Sequence, residues 1–194
     1  EYFGSLSGNS LLLEHELFMK HSKDKLSRED LNRLYYKNFK GVSQSSLSNI
    51  GRNWFDKHVL EKKRFNSLVL AELNNHKKND RLIVLVSGGF FATLEPLKHH
   101  VNADLLLCIS PPACEGFLTG DIEGIQTIGK GKAEAIKNHF QNHTIDWGNS
   151  YAYGDHISDF FMLELAGNPV VVGNDQELLK MANLNHWQRI NNSE

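Results

Sequence analysis

The sequence has few cysteines and no apolar run long enough to cross a membrane. Its 194 residues contain two cysteines, Cys108 and Cys114, whereas a disulfide framework needs more support than that. The longest apolar runs, around residues 82–86 and 105–109, have the length of β-strands. No signal-peptide pattern is visible at the start. These absences predict a soluble, cytoplasmic protein with reduced thiols, with Cys108 in the core and Cys114 in a loop.

The formal net charge of -2 hides an uneven distribution along the chain. Residues 20–81 contain fifteen of the 21 Lys and Arg but only seven of the 23 Asp and Glu. A basic lobe over a carboxylate site would concentrate an anionic substrate. The simpler alternative is a helical lobe that carries Lys and Arg on its solvated face. Because no nucleic-acid recognition motif accompanies these residues, we expect no nucleic-acid partner.

The apolar pattern changes near residue 79. From about residue 11 to residue 75, apolar residues recur at three- and four-residue intervals, which is typical of amphipathic helices. Ser27 with Asp30 predicts a helix start. The polar segment 41–48 is rich in residues that break helices and predicts a loop between two of them.

After residue 79, short apolar runs alternate with helical stretches. The predicted strands are 82–86, 105–109, 151–153 and 170–172, and the predicted helices are 90–100, 132–140 and 157–166. This alternation predicts an α/β fold with a parallel sheet that is covered on both faces. Residues 119–124 predict a hairpin or turn between two of these units. In such sheets the functional groups lie beyond the carboxyl ends of the strands.

The first of these strand ends carries Ser87, Gly88 and Gly89. The Ser87 hydroxyl and the Gly88 backbone amide, placed at the N-terminus of the next helix, would suit a phosphoryl oxygen. Ser-Gly-Gly is also a common turn in which Ser caps a helix. The segment therefore predicts either a phosphate-binding loop or an ordinary turn.

Lys132 stands in the first turn of a predicted helix, after Gly129 and Gly131. A cation is unfavourable there because of the helix dipole, so its position suggests a nearby anion, either a carboxylate cluster or a bound phosphate. Lys130 is the alternative residue for this role. A solvated lysine is the ordinary explanation for either one.

Asp155 and Asp159 follow the strand predicted at 151–153, four residues apart. Two carboxylates on one side of a strand-to-helix junction would form an oxygen-lined site suited to Mg²⁺. The alternative is a turn or N-cap residue at Asp155 and a favourable helix-dipole position at Asp159. A hydroxyl, an ammonium group and paired carboxylates at three strand ends are the groups that phosphoryl transfer requires.

This ordered set resembles the second, third and fourth motifs of the haloacid dehalogenase superfamily, most closely its phosphoserine-phosphatase-like branch. The resemblance implies a Rossmann-like core made of residues 1–10 and 79–194. Residues 11–78 would form a small α-helical cap inserted after the first motif. It also implies a Mg²⁺-dependent phosphate monoester hydrolase that acts on a small phosphorylated substrate. The short apolar runs predict no membrane partner.

The resemblance further implies a role for each matching residue. Ser87 and Gly88 would bind the transferring phosphoryl group, and Lys132 would neutralise its charge. Asp155 would bind Mg²⁺, and Asp159 would support the metal shell.

The first motif of the family departs from its usual form in this chain. The motif carries an Asp nucleophile and, two residues later, an Asp acid/base, followed by Gly-Thr-Leu. If residues 4–6 match the Gly-Thr-Leu element, Glu1 stands at the nucleophile and Phe3 at the acid/base. A Glu side chain is one methylene longer than Asp, which misplaces the attacking oxygen, and Phe cannot transfer a proton.

Three interpretations of this first motif remain. The start of the chain is truncated or altered relative to an active phosphatase, or the protein is a catalytically impaired, phosphatase-like module that binds a phosphorylated ligand or partner. Retention of Ser87, Lys132, Asp155 and Asp159 favours the first. A basic-lobed interaction protein without a small-molecule site would leave the polar strand ends unexplained.

Overall fold

The computed structural model describes residues 27–191, and its elements largely follow the predicted order. The α-helices are α1 (Arg28–Lys37), α2 (Gln44–Phe55), α3 (Ser67–Lys78), α4 (Phe91–His100), α5 (Lys130–Phe140), α6 (Phe160–Leu163) and α7 (Gln176–Asn185). The strands are β1 (Val84–Phe90), β2 (Leu105–Ile109), β3 (Ala113–Cys114), β4 (Phe117–Leu118), β5 (Tyr151–Gly154), β6 (Asn168–Val172) and β7 (Gln188–Ile190). Within the described chain, every helix is too short or too polar to span a bilayer.

Side-chain caps and strand pairing confirm one predicted boundary and correct two others. Ser27 caps α1, since its hydroxyl accepts a hydrogen bond from the Asp30 amide at 3.1 Å. The loop predicted at 41–48 is too long, because Ser43 caps α2 and residues from Gln44 onward are helical. Of the hairpin or turn predicted at 119–124, the hairpin alternative is wrong, since β3 and β4 form a hairpin at 113–118.

The described residues form two compact units. The first unit contains residues 27–62, 89–102 and 108–126. The second unit contains residues 63–88, 103–107 and 127–191. The division into cap and core implied by the family resemblance stays a prediction.

The first unit is built around packed aromatic rings and a close contact between helices. Tyr36, Phe39, Phe90 and Phe91 are all buried, and the Phe90 ring lies 4.9–5.0 Å from the other three ring centroids. Glycine is needed in α2 at position 51, where a Cβ would lie 1.9 Å from the Ala92 carbonyl oxygen. Phe90 and Phe91, which directly follow the proposed phosphate loop in sequence, therefore serve in this core.

The second unit contains the parallel sheet that the sequence predicts. Strand β5 pairs with β6 and β6 with β7, both in parallel, while β1 pairs with β2. Leu163, Val171 and Leu178 are fully buried and form the centre of the core with Ala182. Their burial holds α6 and α7 against β6, which confirms the α/β class.

An apolar cavity of about 570 Å³ lies within the second unit. It is lined by residues 82–86 beside and within β1, by residues 151–153 of β5, and by side chains of α3, α5 and α6. Among residues 27–191, β1 pairs only with β2 and β5 only with β6. One edge of each strand therefore has no partner strand from this part of the chain.

The two cysteines differ in environment. Cys108 is partly buried in β2, and burial, followed by the charge of Glu95, raises the pKa of its thiol to about 12. The raised pKa favours the protonated thiol over the more nucleophilic thiolate. Cys114 is exposed and belongs to strand β3, so its predicted position in a loop is wrong.

His76 is the buried titratable group at the wall of the cavity. Its Nε2 lies 2.8 Å from the Tyr153 hydroxyl, and its Nδ1 lies 3.5 Å from Nη1 of Arg81. Because a guanidinium only donates, Nδ1 accepts and Nε2 donates to Tyr153. Burial, then the Arg81 charge, lower the pKa of His76 from its ordinary value of 6.5, while Glu72 acts in the opposite sense.

We expect His76 to make the protein less stable in acid. Below pH 6.5 the unfolded chain takes up a proton that folded His76 resists, so the free energy of unfolding falls until the pH drops below the lowered pKa. The variant His76→Gln should lose less stability between pH 7.5 and pH 5.0 in urea denaturation. Asn75→Gln, on the same helix, is the control that keeps the wild-type loss. Equal losses in all three proteins would refute this role.

Candidate active site

Ser87 and Gly88 lie inside strand β1, which continues to Phe90. The predicted position of Gly88 at a helix N-terminus is therefore wrong, because α4 begins only at Phe91. A close neighbour explains the glycine: a Cβ at position 88 would lie 2.9 Å from Cγ1 of Ile128 and 3.2 Å from the Thr127 carbonyl oxygen. A glycine within a strand often marks such a close approach.

The loop before α5 is tied to this strand end by a buried hydroxyl. Thr127 is 3% exposed, and its Oγ1 donates to the Ser87 carbonyl oxygen at 2.5 Å. Gly129 then adopts φ 52° and ψ −123°, a conformation that L side chains rarely adopt. Helix α5 begins at the next residue and includes Lys132 in its first turn.

Lys132 forms an ion pair with Asp159. Its Nζ contacts Oδ1 of Asp159, and the two side chains are 14% and 5% exposed. This pairing supplies the anion that the unusual position of Lys132 suggests. Lys130 instead lies exposed with its Nζ 5.1 Å from the centre of the Phe161 ring, so the two lysines differ in partner and in burial.

The Asp159 carboxylate also binds the backbone of the turn that follows β5. Its Oδ2 accepts hydrogen bonds from the backbone amides of Asp155 at 3.1 Å and His156 at 3.3 Å. Residues 157–159 form a 3₁₀ turn ahead of α6 rather than the start of a longer helix. Gly154 makes room for this arrangement, because a Cβ there would lie 2.7 Å from the Asp159 Cβ.

Asp155 and His156 take different roles at this turn. Asp155 is exposed, and among residues 27–191 its carboxylate has no hydrogen-bonding or ionic partner. His156 caps the turn, since its Nδ1 accepts from the Ser158 amide at 3.1 Å. The sequence did not suggest His156 as a cap because Asp, Asn, Ser and Thr are the usual residues there.

The donor groups at this site fit a hydrated Mg²⁺ ion. Mg²⁺ keeps several waters and binds proteins through one or two carboxylates. The exposed Asp155 carboxylate offers such an oxygen, whereas the Asp159 oxygens are used by Lys132 and two amides. No cluster of three His, Cys, Asp or Glu side chains occurs between residues 27 and 191, so an all-protein metal cage is not formed there.

The structure thus brings Lys132, Asp155 and Asp159 together, and it links Ser87 to the loop that leads into Lys132 through Thr127. Thr127 itself was missed by sequence reasoning. Its hydrogen bond joins residues 40 positions apart, so no local pattern reports it. Glu1 and Phe3 lie outside the described residues.

Residues 8–164 match the family of haloacid dehalogenase-like hydrolases. Because this match covers most of the chain, the protein belongs to that family. The site described above therefore lies in a fold that the family uses for hydrolysis.

Individual relatives agree with this assignment. The chain is 31% identical over 124 residues to a probable phosphatase of Mycobacterium tuberculosis. This match covers 62% of this chain and 43% of that protein. It thus spans less than half the length of the curated relatives it matches.

Two solved structures share the fold at low sequence identity. A Bordetella pertussis Tohama I protein of unknown function has a TM-score of 0.81 at 19% identity, covering 95% of this chain and 84% of that one. A probable phosphoserine phosphatase from Vibrio cholerae has a TM-score of 0.71 at 19% identity, covering 93% and 52%. These likenesses support the fold alone.

Proposed function

We propose that this protein is a Mg²⁺-dependent hydrolase of small phosphate monoesters. The observation that carries the proposal is the Lys132–Asp159 pair at the carboxyl end of β5, in which Asp159 is buried. The exposed Asp155 lies at the same turn, and its carboxylate has no partner among residues 27–191. An ammonium group and a free carboxylate at a strand end are suited to a phosphoryl group and its metal. Membership of the hydrolase family supports the same reaction class.

Each residue of the site receives a role in this proposal. Ser87 donates its hydroxyl and Gly88 its backbone amide to phosphoryl oxygens. Lys132 neutralises the charge that develops on the phosphoryl group. Asp155 holds Mg²⁺, and Asp159 positions both Lys132 and the backbone that carries Asp155. Bound Mg²⁺ would supply additional positive charge at the phosphoryl oxygens.

The chemistry also needs a nucleophile and a general acid, which the family resemblance places at positions 1 and 3. A carboxylate oxygen attacks phosphorus while the bond to the leaving alcohol breaks, and a second acid gives its proton to that alcohol. Water then attacks the acyl phosphate, which releases inorganic phosphate and restores the carboxylate. Residues 11–78 are proposed as the cap domain.

The test is hydrolysis of p-nitrophenyl phosphate by this chain and by its Glu1→Asp, Phe3→Asp variant, with and without Mg²⁺. We expect Mg²⁺-dependent hydrolysis that is faster in the variant, because Asp restores the nucleophile length and the acid. Asp155→Asn in the same background should slow it by at least about tenfold, since even residues that only support a metal ligand change metal affinity this much.

Glu164→Gln is the matched control for the Asp155 change. Glu164 is an exposed acid in the same unit, and its loss should leave the rate within about twofold. Hydrolysis in neither chain, with or without Mg²⁺, would refute the phosphatase proposal. Equal effects of the two substitutions would refute the role of Asp155.

A further inference from the structure

The peptide unit between Ser87 and Gly88 has a fixed partner on one side. Its carbonyl oxygen, which belongs to Ser87, accepts the Thr127 hydroxyl at 2.5 Å. Its amide hydrogen belongs to Gly88. Because the peptide is planar and trans, the carbonyl and the amide hydrogen point in opposite directions. The Thr127 hydrogen bond therefore sets the direction of the Gly88 N–H.

The Thr127 hydrogen bond matters for the orientation of this peptide because residue 88 is glycine. Residue 88 has no side chain that limits its backbone, so apart from the pairing of β1 with β2 the orientation of the adjoining peptide depends on groups that bind it. Thr127 is buried, and Ile128 lies against Gly88 at a distance that leaves no space for a Cβ. A hydrogen bond to a carbonyl oxygen also polarises the peptide and strengthens its N–H as a donor.

The loop that contains Thr127 also connects the Ser87–Gly88 peptide to Lys132. The Gly131 amide donates to the Ile128 carbonyl at 2.9 Å, and the Lys132 amide donates to the Gly129 carbonyl at 3.2 Å. These turns connect Thr127 rigidly to the start of α5, where Lys132 pairs with Asp159. The position of the Ser87–Gly88 peptide is thus coupled to that of the ammonium group.

We propose that Thr127 is a positioning residue that aims the Gly88 amide at the phosphoryl group and fixes its spacing from Lys132. This inference rests on the proposed function for the identity of the ligand. The orientation of the Gly88 amide is a property of the chain itself and can be measured separately. Thr127 touches neither phosphate nor metal in this role.

The experiment compares Thr127→Val, which keeps the shape but removes the hydroxyl, with Thr127→Ser, which keeps the hydroxyl. Affinity for inorganic phosphate in the presence of Mg²⁺ is measured by calorimetry, with thermal unfolding recorded in parallel. We expect Thr127→Val to weaken phosphate binding about tenfold, which corresponds to about 1.4 kcal/mol. Thr127→Ser should remain within about twofold of the wild type.

The Gly88 amide signal in ¹⁵N-labelled protein provides a second measurement. It should shift and exchange faster with solvent in Thr127→Val but not in Thr127→Ser, and Thr127→Ala replaces the Val variant if that protein does not fold. Unchanged phosphate affinity with a lowered melting temperature would show a purely structural role and overturn the inference. A wild type that binds no phosphate would refute the proposed function, whereas an unmoved Gly88 signal would refute the orientation itself.

Discussion

Lys132→Met is expected to lower the free energy of unfolding by about 3 kcal/mol, because it leaves the buried Asp159 carboxylate without its cation. Breaking one side of a buried ion pair typically costs about 3–5 kcal/mol. The lower end applies here because Asp159 keeps its hydrogen bonds to the amides of Asp155 and His156. Urea denaturation of the wild type and the variant at pH 7 measures the difference.

Lys130→Met is the matched control for this change. Lys130 is on the same turn of α5 but is exposed over the Phe161 ring, and such a contact contributes about 0.5–1 kcal/mol. The double variant Lys132→Met, Asp159→Asn should recover part of the lost stability, because an uncharged amide is less costly to bury unpaired. If the two lysine variants lose equal stability, the Lys132–Asp159 pair does not hold this site together.

Gly154→Ala is expected to cost about 2–3 kcal/mol of stability and to abolish most of the proposed phosphatase activity, because the added Cβ displaces Asp159. It would lie 2.7 Å from the Asp159 Cβ and 3.1 Å from its Oδ2. Moving Asp159 removes the acceptor for the Asp155 amide and the partner of Lys132. Chemical denaturation and the hydrolysis assay measure the two effects.

Gly148→Ala tests whether this effect depends on the position of Asp159. A Cβ at position 148 would have its nearest neighbour, Oδ1 of Asp146, at 3.6 Å, which is ordinary contact. Neither glycine has a positive φ, so backbone strain does not separate them. A Gly154→Ala protein that matches Gly148→Ala in stability and rate would contradict the crowding seen in the structure.

The sequence predicts the parts of this protein that depend on short-range patterns. The strand at 105–109 and the helix after Phe90 are confirmed, because apolar period and length decide such elements. Strand β1 continues beyond its apolar run through Ser87 and Gly88, against the usual depletion of glycine in strands. Glycine is needed at position 88 because Ile128, from a distant part of the chain, approaches it closely.

In the candidate site, too, short-range patterns predict some contacts but not those that depend on tertiary structure. The pairing of Asp159 with a cation could be anticipated from a lysine placed in the first turn of a helix. The hydrogen bonds from the amides of Asp155 and His156 to the second Asp159 oxygen could not be anticipated, because they depend on a three-residue 3₁₀ turn. The link between Thr127 and Ser87 is purely tertiary.

Among residues 27–191, no strand pairs with the second edge of β1 or of β5 beside the apolar cavity, so both edges can accept a further strand. An extended apolar segment that adds to either edge gains main-chain hydrogen bonds and removes apolar surface from water at the same time. Proline or charged residues introduced along residues 82–86 or 151–153 would therefore hinder the addition of a further strand at these edges.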